Sequence, residues 1–169
     1  LNNFKSQNMI NPNNEITIGN TCSSSVAFSI YMPTVSLENK EITIFEGVKV
    51  GTEIKYIQLG IFTVTKQTSD GEYTSYEAYD RMYKADMPYF SDMTFPSTDK
   101  AILNEICSKL GISLATNIVT AHTINEKPQG YTYREIIGYM AMLQGCNAVI
   151  NSDGNLEIKW YKDSGYMLD

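Results

Sequence analysis

The chain has 169 residues, enough for a sizeable core in one domain or two small ones. A formal net charge of −6 argues against a general nucleic-acid binder, which needs cationic surface to displace counterions, and gives no pull toward anionic membranes. No apolar run approaches the roughly 20 residues of a membrane-spanning helix. Cys22, Cys107 and Cys146 are scattered, with no CxxC pair and a single histidine to help them hold a metal, so they read as small hydrophobes in a reducing compartment. Leu1 stands where a starting methionine would, and no signal-peptide pattern follows. The expectation is a piece of a longer protein.

Residues 1–15 are Asn-rich and contain Pro12, which predicts an irregular lead-in with at most a short strand. From Ile16 the pattern alternates. Ile16 and Ile18, then Val26, Phe28 and Ile30, then Ile42 and Ile44 in a strand from Glu41 to Glu46 that ends at Gly47, each mark one face of a strand. Ile54 and Tyr56 follow a turn at Gly51. Leu59 to Thr65 is rich in β-branched and aromatic residues, and Asp70-Gly71 is a hairpin turn before a return strand from Tyr73 to Tyr79. About six short strands without a helix predict a small antiparallel barrel or sandwich, a β-barrel first, over residues 16–80.

Residues 81–169 read as an α+β segment leading into a truncated second barrel. Asp80 to Lys84 can begin a short helix, while Pro88 and Pro96 stop a long one. Ser97-Thr98-Asp99 offers cap residues for a helix carrying Ile102, Leu103, Ile106 and Leu110 and ending at Gly111. Ile112 to Ala115 suits a short strand, and residues 116–130 suit a loop with fragmentary β structure. Thr132 and Glu135 have capping-box spacing, with Tyr131 and Ile136 placed as a hydrophobic staple. Tyr133, Ile136, Ile137, Met140 and Leu143 define the apolar face of this second amphipathic helix, and Gly145 its left-handed stop. Ala148-Val149-Ile150, a turn over Asn151 to Asn155, and Leu156, Ile158 and Trp160 complete a hairpin. The predicted class is therefore α+β, a small barrel followed by two helices and short hairpins.

A search for chemistry is mostly negative. No phosphate-binding glycine loop, GxSxG, HExxH or calcium-loop pattern occurs. His122 has no acidic or nucleophilic neighbour in sequence, so a surface or structural role outranks catalysis. Glu77 and Asp80, with Glu72 nearby, are close enough in sequence to raise a glycosidase pair. Alternation turns Glu77 to solvent, however, and Asp80 suits an N-cap. Tyr73, Tyr76, Tyr79, Tyr83 and Tyr89 crowd one stretch and cannot all share a face. Sheet packing comes first for them, a protein interface second and a carbohydrate platform third. Met140 and Met142 read as core fillers. The expectation is no catalytic, cofactor-binding or metal-binding residue.

Several stretches in order resemble the hub proteins of bacteriophage and prophage tail tips. They are Ile16–Asn20 through Val26–Ile30; Leu59–Val64 followed by Tyr76–Met82; Ile102–Cys107 ending in Leu110-Gly111-Ile112; and Thr132–Ile137 running into Asn151–Leu156. The resemblance spans residues 16–161. It implies a structural, non-enzymatic protein of the virion tail, made in the bacterial cytoplasm, that assembles as a trimer and joins the tail tube to distal tip proteins. It implies a small barrel joined to an α+β segment, with the second barrel completed by later sequence. The alternative function is a carbohydrate-binding or cell-wall-acting module of the same tip. An unrelated enzyme would need His122, a carboxylate and a nucleophile to converge. Self-assembly predicts exposed apolar or aromatic patches on the isolated chain.

Overall fold

A computed structural model describes residues 2–7, 16–116 and 121–161. Five antiparallel strands form one sheet: β1 (Asn2–Gln7), β2 (Ser25–Tyr31), β3 (Glu41–Val50), β4 (Glu53–Asp70) and β5 (Tyr73–Tyr79), in the order β1-β2-β5-β4-β3. On β2 and β5 the alternation does what period 2 requires. Val26 and Phe28 face inward opposite Ala78 and Tyr76, and Phe28 stacks on Tyr76 with ring centroids 5.1 Å apart. With Ile44, Phe62 and Val64 they form the sheet's core.

The sheet differs from the sequence expectation in three ways. Ile16 and Ile18 are not in a strand; the first strand lies in the lead-in, at β1. The segments read as separate strands at Ile54–Gln58 and Leu59–Thr65 are one continuous 18-residue strand, because nothing between them turns the chain. The strand expected to end at Gly47 runs on to Val50, and among the described residues the sheet is a curled half-barrel with β1 and β3 at its edges.

The second half is built on α1 (Asp99–Leu110) and α2 (Tyr133–Leu143). Two short pairs flank them: β6 (Ser97–Thr98) with β7 (Thr123–Ile124), and β8 (Asn147–Ile150) with β9 (Leu156–Lys159). Thr98 caps α1 by accepting from the Ala101 amide at 3.2 Å, and Gly111 ends it in the left-handed conformation (φ 69°). The capping box of α2 forms as its spacing predicts: the Glu135 amide donates to Thr132 Oγ1 (3.2 Å), and the Thr132 amide donates to Glu135 Oε2 (2.7 Å). The Tyr131 ring, placed by the sequence for a staple with Ile136, packs edge-on against Tyr139 at 5.3 Å.

Ile102, Leu103, Ile106, Ile136, Ile137, Ala148 and Leu156 are fully buried together and make the larger core. Met142 and Leu143, expected to join it, are 45% and 43% exposed, as is Trp160 at 45%, which lies just past β9. Leu114 makes only an isolated bridge to Leu156 instead of a strand. Part of the loop expected over residues 116–130 lies outside the described residues.

Polar clamps join the two cores. Asp80 caps a 3₁₀ turn (Arg81–Asp86): Oδ1 accepts from the Met82 amide (2.9 Å) and Oδ2 from the Ser24 amide (2.6 Å). Arg81 grips both oxygens of Glu41 at 2.8 and 2.9 Å and donates to the Gly154 carbonyl at 3.3 Å. Arg134 donates to the Thr21 and Met82 carbonyls, to Ser23 and to Asp86, tying α2 to the chain that enters β2.

Candidate functional site

The carboxylates considered for catalysis are not brought together. Glu77 lies on the outward face of β5 and pairs with Lys66 at 3.0 Å, whereas Asp80 is 2% exposed and both its oxygens are held by backbone amides. Burial pushes the Asp80 carboxyl up, against the pull of the Ser24 and Met82 amides. Asp80 borders a cleft of about 480 Å³ between β4 and the β8–β9 hairpin, which Glu157 and Lys159 also line. Glu157 and Lys159 lie 3.5 Å apart there. Glu72 is exposed.

The tyrosines divide as alternation requires. Tyr76 and Tyr89 are buried, while Tyr73 and Tyr79 face outward and Tyr83 is half-buried. Tyr73 meets Tyr31 edge-on at 5.3 Å across β2 and β5. Among the cysteines, Cys107 is buried and its thiol is pushed up to about 12 by burial; Cys22 and Cys146 are half-buried, and all three are free.

His122 does meet a carboxylate, which the sequence did not reveal. Asp99, wholly buried at the start of α1, accepts from the His122 amide (3.1 Å) and the Lys100 amide (2.7 Å) at Oδ1. At Oδ2 it accepts from His122 Nδ1 (2.9 Å) and from Gln144 Nε2 (2.6 Å). An ionised carboxylate can only accept, so the imidazole proton sits on Nδ1. Burial alone would raise the Asp99 carboxyl; the four donors, His122 foremost, outweigh it and hold it below the usual range. The ring's described neighbours are the Asp99 carboxylate, to which Nδ1 donates, and the Gln144 amide nitrogen 3.1 Å from Nδ1; neither is a hydroxyl or thiol nucleophile. The cluster ties the start of α1, the approach to β7 and the end of α2, and it serves as a structural lock.

The largest anomaly is at the far end of β3 and β4. There the pair runs on past the core as a two-stranded ribbon, residues 45–58, joined by a turn at Gly51. The register slips between Ile44, paired with Gly60, and Phe45, paired with Gln58, so Leu59 is an extra residue. On one side of this bulge Ile44 is 9% exposed; on the other Phe45 is 54% exposed. Beyond it, Val48, Val50, Ile54, Tyr56 and Ile57 are all exposed, Tyr56 by 72%.

Directly opposed residues share a face, so the register sorts the ribbon into two unlike faces. One carries Phe45 with Gln58, Gly47 with Tyr56 and Lys49 with Ile54. A methyl group on Gly47 would sit 3.1 Å from Ile54 and 3.4 Å from Tyr56, so the missing side chain lets both lie over the backbone. The other face sets each apolar residue against a charge: Ile57 with Glu46, Val48 with Lys55, Val50 with Glu53.

The sequence did hold a signal for this surface. A half-buried strand keeps its apolar residues in one phase. Here they occupy both phases, Phe45 then Val48 and Val50 on β3, Ile54 and Tyr56 then Ile57 on β4.

With this geometry, the described fold is similar to that of the tail protein of Neisseria meningitidis MC58, with a TM-score of 0.57 and 16% identity over 80% of this chain and 41% of that one. The 43 kDa tail protein of prophage MuSo2 from Shewanella oneidensis aligns with a TM-score of 0.49 and 17% identity, over 81% of this chain and 44% of that one. The chain thus spans less than half the length of either tail protein. No family model matches it, and no curated protein does. What the Neisseria likeness shows is a shared α+β fold. Among the described residues no helix is long and apolar enough to cross a membrane.

Proposed function

We propose that this chain is a structural component of a phage or prophage tail tip. In this reading it is a hub that associates with itself, as a trimer around the tail axis, and joins the tail tube to distal tip proteins. It acts by assembly, without catalysis, and resides in the virion tail. The observation that carries the reading is the β3–β4 ribbon, which holds apolar and aromatic side chains in water, outside both cores of the described residues. The shared fold with a tail protein supports the same direction. Closed rings of identical subunits use a heterologous contact, one patch meeting a different patch on the neighbour.

Light scattering across a wide concentration range tests this. Mass should rise toward three copies as concentration increases. A mass that stays at one copy throughout, or settles at a stable dimer, contradicts the hub.

A glycan-binding module of the same tip is the second reading. Its one support is the exposed Tyr31–Tyr73 pair. Binding of cell-wall glycan fragments that is lost in Tyr73→Ala would favour it over the hub.

A further inference from the structure

The apolar ribbon is not the only surface of its kind. An amphipathic helix buried on one stripe is expected to be polar on the opposite one. On α2 the buried stripe is Tyr133, Ile136, Ile137, Met140 and Ala141. The outward stripe is Glu135, Tyr139, Met142 and Leu143, at i, i+4, i+7 and i+8, and only its first residue is polar. Tyr139, Met142 and Leu143 are 42%, 45% and 43% exposed. The chain therefore carries two dissimilar apolar patches on different elements, each left more than a third exposed among the described residues, although Gly19 lies against Met142 and Tyr131 against Tyr139.

The two patches complement each other in size and charge. From Phe45 to Lys49 the ribbon covers four strand steps, about 14 Å. From Glu135 to Leu143 the helix covers eight steps, about 12 Å. The Phe45–Ile54–Tyr56 face carries one formal charge, Lys49, at its outer end. The helix stripe also carries one, Glu135, at its first turn, where the Thr132 amide and hydroxyl hold the carboxylate ionised. Setting Lys49 beside Glu135 places Tyr56 near Tyr139 and Phe45 near Leu143. The ribbon's other face, with a charge opposite every apolar residue, offers no such match.

We propose that the ribbon of one copy seats its Phe45–Ile54–Tyr56 face on the outward stripe of α2 of a second copy. The inference rests on the self-assembly reading and specifies its contact. Ribbon-to-helix contact is heterologous, so each subunit has one donor patch and one acceptor patch, and the chain of contacts can close into a ring.

Subunit complementation tests it on the whole chain. Tyr56→Asp disables the ribbon. Tyr139→Lys disables the stripe by setting a charge in place of the ring that Tyr56 would pack on, while gaining a favourable i, i+4 pair with Glu135 that keeps the helix sound. Ile54→Asp and Leu143→Glu are a second pair of variants should either of the first melt early by circular dichroism. In analytical ultracentrifugation each variant alone should dissociate at concentrations at least tenfold higher than the parent chain. An equimolar mixture should recover the intact contact, the ribbon of the Tyr139→Lys chain on the stripe of the Tyr56→Asp chain, and with it a mass above that of either variant alone at the same concentration.

If Tyr139→Lys assembles like the parent while Tyr56→Asp does not, the ribbon meets something other than the helix, and this pairing is overturned while self-assembly stands. If both variants assemble like the parent, the pairing is likewise overturned. A parent chain that remains monomeric at every concentration overturns the self-assembly reading together with the pairing.

Discussion

The helical core and the β3–β4 ribbon draw on the same kinds of residue and use them differently. In the core, Leu103, Ile106, Ile136 and Ile137 lie at 0% exposure, and their burial stabilises the fold. In the ribbon, Ile54 and Tyr56 stand 60% and 72% exposed, so removing them from the folded monomer takes away little buried area. Apolar composition alone therefore does not say which residues hold a chain together. Residues that are apolar, well ordered in strand pairing and left in water are available for a partner.

The contrast breaks most visibly under truncation. Leu103→Ala should cost about 3 to 4 kcal/mol of unfolding free energy in urea titration, the range for emptying a buried leucine site. The buried lock at Asp99 comes next. Asp99→Asn, which weakens the charge-assisted bonds from His122 and Gln144, should cost on the order of 2 kcal/mol near neutral pH.

The loss at Asp99 should also depend on pH. The Asp99 carboxyl is held below its ordinary value in the folded state, so its contribution is complete above the unfolded-state value, near 3.9. It fades as pH falls through the folded value. The gap between parent and Asp99→Asn in urea unfolding should narrow below about pH 4; a constant gap from pH 6 downward would remove the explanation by charge-assisted hydrogen bonds to the carboxylate.

Thr132→Ala, which loses the α2 cap, should cost about 1 kcal/mol, read from the thermal midpoint. The smallest effect is expected at the ribbon itself. Tyr56→Ser, measured at concentrations low enough to keep the chain monomeric, should shift stability by less than about 0.5 kcal/mol. A cost near that of Leu103→Ala would mean that the ribbon is part of the folding core.

What the sequence made legible follows the range of the interactions. The capping box at Thr132 and Glu135, the stop at Gly111 and the cap at Asp80 need partners within a few residues, and each could be read directly. Glu77 facing outward and Tyr76 facing inward followed from strand alternation. The lock was illegible because His122 and Gln144 reach Asp99 from 23 and 45 positions away. Met142 and Leu143 were misassigned because helical periodicity finds an apolar stripe and does not show that two such stripes share α2. The ribbon was misread because alternation at Ile54 and Tyr56 looks the same whether or not something covers the strand; the change of phase from Phe45 to Val48 and from Tyr56 to Ile57 was there to be read, but the bulge at Leu59 and the register beyond it were not.

Backbone hydrogen exchange at low and high protein concentration compares the two regions most directly. Amides of α1 and of the buried half of α2 should exchange at the same slow rate in both, because their protection comes from within the monomer. Amides over residues 45–57 should exchange more slowly as concentration rises, because their additional protection comes from another copy. Ribbon exchange that is unchanged across the range in which mass increases would contradict the ribbon as the assembling element.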